Sequence, residues 1–282
     1  MAQEQPDVAV TGATGALGGA VARLLAEAGV NQRLLARHTA RLPELPGTPV
    51  YAAAYSDREH AARALRGVKT LFMVSAAEST YRRQDQRTFV DAAVEAGVQY
   101  IVYTSFMGAA PDAVFTLARD HADTEEYIRS RGLAFTFLRD CLYQDVLPTF
   151  VGRDGVIRGP AGDGRLAAVA RADVARCAAR ILTAPQEHAG AVYTLTGPQA
   201  LSFEEIAGIL TRVGGSKVSY RNETLEEARE SRSLSGVGQW QIDAWVSTYT
   251  AIAAGQMAEV SGDVERITGI PPVGLEDYLM HR

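Results

Sequence analysis

Three glycines spaced three apart, Gly12, Gly15 and Gly18, stand in the run VTGATGALGG, directly behind a short apolar stretch and directly ahead of an amphipathic one. Backbone N–H groups gathered at a strand–turn–helix junction, backed by the positive end of a helix dipole, form a ready site for a pyrophosphate. In that chemistry Gly12 permits the turn, Gly15 lets a phosphate approach the main chain, and Gly18 lets the helix sit close to the sheet. About 20 residues further on, an acidic side chain would accept hydrogen bonds from an unmodified ribose. LLARHTAR offers Arg37 there, with Arg41 nearby. A charge-assisted bond from a guanidinium to a 2′-phosphate contributes on the order of 1.5–3 kcal/mol, so the pattern points to NADPH. The plain alternative is a structural turn followed by a solvated arginine.

These residues need a strand before the turn, a helix after it, and further strands to complete a sheet. Val8 to Thr11 reads as the first strand, and Val21, Leu24, Leu25 and Ala28 recur at helical spacing until Gly29. QRLLAR at 32–37 and TPVYAAAY at 48–55 read as strands, followed by a helix over 57–66, the strand KTLFMVS, and a helix carrying Phe89, Val90, Ala93 and Val94. QYIVYTS at 99–105, a helix over 117–131 and AFTFLR at 134–139 continue the alternation. Strands separated by helices predict an α/β fold with a doubly wound parallel sheet. The stretch 147–165 holds VGRDGVIRGPAGDG, which reads as irregular chain beside the site. Beyond it come a helix with Val174, Ala178, Ile181 and Leu182, the strand AVYTL, capping boxes at Ser202/Glu205 and Thr224/Glu227, and an amphipathic helix through Trp240, Trp245, Val246, Tyr249 and Ile252 that suits the wall of a substrate pocket. The predicted organisation is a nucleotide-binding Rossmann domain over 1–145 and a smaller, mostly helical C-terminal substrate lobe over 146–282, interleaved by a strand and helix that return to the core.

Composition excludes several partners. The chain has 282 residues, 47% hydrophobic and 22% charged, with a formal net charge of -5, which gives no electrostatic attraction for nucleic acid or an anionic membrane. No stretch is apolar enough to span a bilayer, and MAQEQPD is unlike a signal peptide, so a cytoplasmic location is expected. Cys141 and Cys177 lie far apart with no metal-type spacing. No metal site is expected, and self-association is left open.

The segments TGATGALGGAV, YSD at 55–57, MVSAAE, YTSFMGA, RDHADTEEYI and LRDCLYQDVL together resemble the NmrA-like branch of the atypical short-chain dehydrogenases, especially its NADPH:quinone oxidoreductases and triphenylmethane dye reductases. The likeness runs from Val8 to the closing GIPPVGLEDYL. It implies a Rossmann fold holding NADPH, with Gly12, Thr14, Gly15, Ala16, Leu17 and Gly18 on the pyrophosphate and Arg37 on the 2′-phosphate. Tyr55 joins the cofactor set, Val74, Ser75 and Ala76 meet the nicotinamide-side ribose, and Thr104, Ser105, Arg139, Cys141, Leu142 and Tyr143 line the nicotinamide. Asp140 and Cys141 stand where relatives often show Asn and Gly.

Ordinary short-chain dehydrogenases place Tyr and Lys at i and i+4 on the helix after the fifth strand of the sheet, where the cation eases proton transfer from the phenol. The matching positions here are His121 and Glu125. Reduction of a ketone makes a basic alkoxide that needs such a donor. Hydride addition to a quinone gives a phenolate-like anion whose conjugate acid has a pKa of about 10, so water suffices. The expected reaction is therefore NADPH-dependent hydride transfer to a quinone or similar electron-poor aromatic. Tyr143 is expected to touch substrate or nicotinamide, and Phe106 and Met107 to form an apolar shelf for the acceptor, with core packing as their alternative. His121, oriented by Glu125, could protonate the product, or both could be solvated surface partners. The alternative function, also within the resemblance, is a redox sensor that binds the dinucleotide without turnover.

Overall fold

A computed structural model of the chain describes residues 7–38 and 43–281, so Arg41 lies outside the described residues. The chain divides into two compact units. The first takes in residues up to Ser105, Asp120–Arg139 and Val174–Tyr193; the second takes in Phe106–Arg119, Asp140–Asp173 and everything from Thr194 on. These units interleave along the chain, as a returning strand and helix would make them, with boundaries on either side of the expected break at 145. The segment 106–119 belongs with the C-terminal part, while 174–193 belongs with the sheet, because apolar faces rather than chain order decide which residues pack together.

In the first unit, β1 (Val8–Val10), α1 (Ala16–Glu27), β2 (Gln32–Ala36), β3 (Val50–Ala52), α2 (Arg58–Leu65), β4 (Thr70–Met73), α3 (Arg82–Glu95) and β5 (Tyr100–Phe106) follow one another, then α4 (Thr116–Ser130) and β6 (Ala134–Asp140). The seven-stranded sheet runs β3-β2-β1-β4-β5-β6-β9, its last strand being β9 (Val192–Leu195). β1 pairs parallel to β2 and β4, β2 to β3, and β4 to β5. The strands at its centre read as continuous apolar runs because both faces are covered: Ala9, Leu71, Met73, Ile101 and Tyr103 join Leu65, Phe89, Val90 and Ile128 in one buried cluster, and Val10, Phe72 and Val102 are buried on the other face. α1 buries Leu17, Val21 and Leu25, and α2 starts at Asp57, whose carboxylate accepts the His60 amide.

The second unit holds a 3₁₀ turn at Gln144–Phe150, β7 (Val156–Gly159), β8 (Arg165–Leu166), β10 (Leu201–Ser202), α6 (Phe203–Gly214), β11 (Ser219–Asn222), α7 (Leu225–Ser233), α8 (Gln239–Ala253), α9 (Asp263–Thr268) and α10 (Leu275–Met280). Between β8 and β10, α5 (Arg171–Thr183) leads back to β9. The expectation of irregular chain over 147–165 is overturned: β7 lies parallel to β11, and β8 antiparallel to β10. The glycine that disguises β7 serves packing, since a Cβ on Gly159 would come within 2.2 Å of the Tyr249 ring. Both predicted capping boxes form, at Ser202/Glu205 and Thr224/Glu227.

Candidate functional site: a nucleotide-type cleft in the first unit

The chain leaves β1 through Thr11 and turns at Gly12, whose φ of +60° is left-handed and whose carbonyl accepts the Gly15 amide at 2.8 Å. A Cβ on Gly18 would stand 2.4 Å from the Gly12 oxygen, so only glycine allows α1 to sit this tightly on the turn. α1 then begins at Gly15 with no side-chain cap and no acidic residue in its first turn. Its first amides and the positive end of its dipole are left uncompensated by the helix itself. That donor set fits a phosphate.

A cleft of about 550 Å³ opens on this turn. Thr14, Gly15, Arg37, Tyr55, Val74, Ser75 and Ala76 line it with Gly12, so most of the expected cofactor set from this unit is brought together. Arg37 follows directly after β2 and is exposed; among the described residues it has no ion-pair partner. Of the remaining turn residues, Ala16 is exposed and Leu17 and Gly18 are buried, and none of the three is among the residues lining the cleft.

Hydrogen bonds fix the cleft walls. Thr11 Oγ1 accepts the Val74 amide at 2.9 Å and lies 2.7 Å from the Tyr55 hydroxyl, which donates to the Val74 carbonyl at 2.5 Å. Tyr55 also stacks on Phe89 with centroids 4.1 Å apart, and burial pushes its pKa up. Ser75 donates its amide to Thr104 Oγ1 at 2.8 Å. α3 holds Ala76 by both polar groups: Gln86 Oε1 accepts its amide and Arg82 Nε donates to its carbonyl. Thr11, Gln86 and Arg82 were not singled out in the sequence. Thr11 lies inside the glycine motif, whereas Gln86 and Arg82 read only as polar positions on a helix.

Two sequence expectations are corrected. His121 and Glu125 are neither solvated nor partners of each other. Arg82 Nη2 reaches His121 Nε2 at 2.9 Å, and Tyr103 Oη reaches His121 Nδ1 at 3.1 Å. Arg can only donate, so the network assigns Nε2 as acceptor and the ring as the neutral Nδ1–H tautomer. Burial first, and Arg82 second, hold the His121 pKa well below its ordinary value, which removes it as a proton donor near neutrality. Glu125 instead receives a two-pronged contact from Arg139, at 2.9 and 2.7 Å, and the Ser105 hydroxyl at 2.6 Å. Thr104, Ser105 and Arg139 therefore have side chains committed inside the first unit, where they brace the ends of β5 and β6.

Phe106, Met107, Cys141, Leu142 and Tyr143 belong to the second unit. Met107 is buried in its core with Phe115, so it provides packing rather than an open shelf, while Phe106 is half-buried with its ring 4.7 Å from that of Phe115. Cys141 is a free, buried cysteine whose pKa burial pushes up to about 12, an inert thiol. Tyr143 donates to Asp140 Oδ2 at 2.7 Å and lies under the Arg171 guanidinium at 4.8 Å. Asp140 Oδ1 is buried with no partner, and burial raises the carboxyl to about 8. Among the described residues no helix is long and apolar enough to cross a membrane, and no group of side chains could hold a metal.

A parallel sheet in this order, with a glycine turn feeding an uncapped helix beneath a cleft, defines a Rossmann-type α/β protein. The NmrA-like family model matches residues 4–267, and the chain belongs to that family. It is 32% identical over 284 residues to quinone oxidoreductase 2 of Escherichia coli, covering 97% of this chain and 98% of that protein. Solved structures share the fold, among them two with a bound cofactor. One is the NADPH-dependent quinone oxidoreductase of Escherichia coli in complex with NADPH, at TM-score 0.88, 30% identity, and coverage of 97% of this chain and 99% of that one. The other is the triphenylmethane reductase of Citrobacter sp. in complex with NADP(H), at TM-score 0.85, 30% identity and the same coverage of 97% and 99%.

Proposed function

We propose that the cleft of the first unit binds NADPH and that the protein is an oxidoreductase passing hydride from it to a quinone or similarly electron-poor aromatic. The observation that carries this reading is the convergence of the Gly12–Gly15 turn, the uncapped start of α1 and Arg37 on one cleft of about 550 Å³. The relatives, whose names specify NADPH or quinone reduction, support it.

In this reading the amides from Thr14 to Gly18 hold the pyrophosphate, Arg37 takes the 2′-phosphate, and Tyr55, Val74, Ser75 and Ala76 meet the rest of the dinucleotide. Bound NADPH supplies the hydride. The chain's own work is positioning. Thr11, Tyr55 and the Arg82–Gln86 pair keep the 74–76 loop rigid, so no free energy is spent ordering it when ligand arrives. Tyr143 and Phe106 are assigned to the acceptor. α4 carries no lysine in TLARDHADTEEYIRS, so it offers no Tyr/Lys proton relay. A quinone needs none. Hydride adds to the ring system, the electron pair settles on oxygen as a phenolate, and water protonates it.

The test mixes purified protein and NADPH with a panel of benzoquinones, naphthoquinones and a triphenylmethane dye, following loss of the nicotinamide absorbance. Saturable turnover is expected with at least one acceptor class. Tight NADPH binding without turnover on any of them would replace the enzyme by a dinucleotide sensor.

A further inference from the structure

The second unit carries an open-mouthed cavity of about 400 Å³ that the nucleotide reading leaves unused. Small-molecule pockets typically span about 300–1,000 Å³. Phe150, Trp245 and Tyr249 line it, with the Phe150 and Tyr249 centroids 6.0 Å apart and the rings tilted by 42°. Tilted rings of this kind complement another aromatic ring through offset and edge contacts.

Two cations reach the wall, and both arrive neutralised. Arg158 Nη2 lies 2.6 Å from Asp154 Oδ2, and Arg232 Nη1 lies 3.0 Å from the buried Glu223 carboxylate while Nη2 donates to the Arg158 carbonyl. The Arg232 guanidinium also sits 5.1 Å above the Tyr249 ring. An anionic guest would have to compete with a carboxylate already in place, so the cavity favours a neutral one.

Three hydroxyls complete the lining. Thr149 donates to the Val146 carbonyl at 2.6 Å, Thr248 to Ala244 at 3.2 Å, and Ser231 to Ala228 at 3.2 Å. With those protons engaged, Thr149 and Thr248 offer a guest their lone pairs, and Ser231 Oγ, which already accepts from Arg232 Nη1 at 3.2 Å, offers its remaining one. The complement is an O–H donor carried on an aromatic ring.

We infer that this cavity is a binding site for a neutral phenolic molecule of one or two rings, recognised by Phe150, Trp245 and Tyr249 on its faces and by Thr149, Thr248 and Ser231 at its hydroxyl. The inference goes beyond the NADPH reading and stands on the second unit alone. Its test contains no NADPH, so the two fail separately.

The chain's two tryptophans, replaced by 5-fluorotryptophan, give two fluorine resonances that Trp240→Phe assigns. Titration with 2-naphthol is expected to shift the Trp245 resonance saturably and leave Trp240 in place. 2-Naphthoate should bind at least about tenfold more weakly, and 2-methoxynaphthalene, which has no O–H, about three- to tenfold more weakly. Thr248→Val should weaken 2-naphthol about three- to tenfold while leaving 2-methoxynaphthalene unchanged, a split that mere structural damage would not produce. No saturable shift at millimolar 2-naphthol, a shift confined to Trp240, or equal affinity for 2-naphthoate would each overturn the site.

Discussion

Arg37 lines the cleft and is exposed. Arg37→Glu exchanges attraction for repulsion at one phosphate, so NADPH affinity should fall about tenfold to a hundredfold, with NADH almost unaffected. Calorimetry with both cofactors checks this, and equal losses would show that the guanidinium does not read the phosphate. His121 belongs to a different chemistry. Its folded pKa lies below the ordinary 6.5, so below that pH the unfolded chain binds a proton the folded one refuses. The stability it contributes is present above 6.5 and lost as pH falls further. Nitrogen NMR should find the ring still neutral at pH 6, and an ordinary titration there would restore it as a proton donor. Asp140 carries the opposite sign: raised from 3.8 to about 8, its contribution is complete below the lower value and lost as pH rises through the upper one. Asp140→Asn keeps an acceptor for Tyr143 and removes the buried charge. Urea denaturation should find the variant more stable by several kcal/mol at pH 8, with the gain shrinking toward acid.

At the scale of elements, the junction of β1 and α1 is the most demanding. Gly18→Ala would drive a methyl to 2.4 Å from the Gly12 oxygen, forcing α1 outward. A loss of about 3 kcal/mol in folding stability, together with weaker NADPH binding, is expected from denaturation and calorimetry. This junction was legible in the sequence because its glycines, strand and helix are local. So were the alternating strands and helices and both capping boxes, whose signals lie within a few residues. β7 was hidden because Gly159 answers to Tyr249, a contact across 90 positions of chain that no local pattern records. The roles of Gln86 and Arg82 were hidden likewise: a polar residue on α3 looks the same in sequence whether it meets water or the Ala76 main chain. His121 and Glu125 were misread because helical spacing placed them together, while α3 and β5 supplied partners for His121 and β5 and β6 supplied them for Glu125.

At the scale of the whole molecule, neither unit is a continuous piece of chain. A fragment ending at 145 would lack α5 and β9, both needed to finish the first unit. Circular dichroism and proton NMR should find it without a cooperative transition, in contrast to the full chain. The same discontinuity bears on how the protein is made. Among the described residues β9 is the strand that flanks β6 on that side of the sheet, yet roughly 50 residues must be added between the two, which takes about 3–10 s at ordinary ribosomal speed. Throughout that interval the nascent chain presents the bare margin of β6, a row of unmet amides and carbonyls that sticks to similar margins on its neighbours. A growing polypeptide of this design depends on shelter at the exit tunnel until its late-arriving strand is delivered.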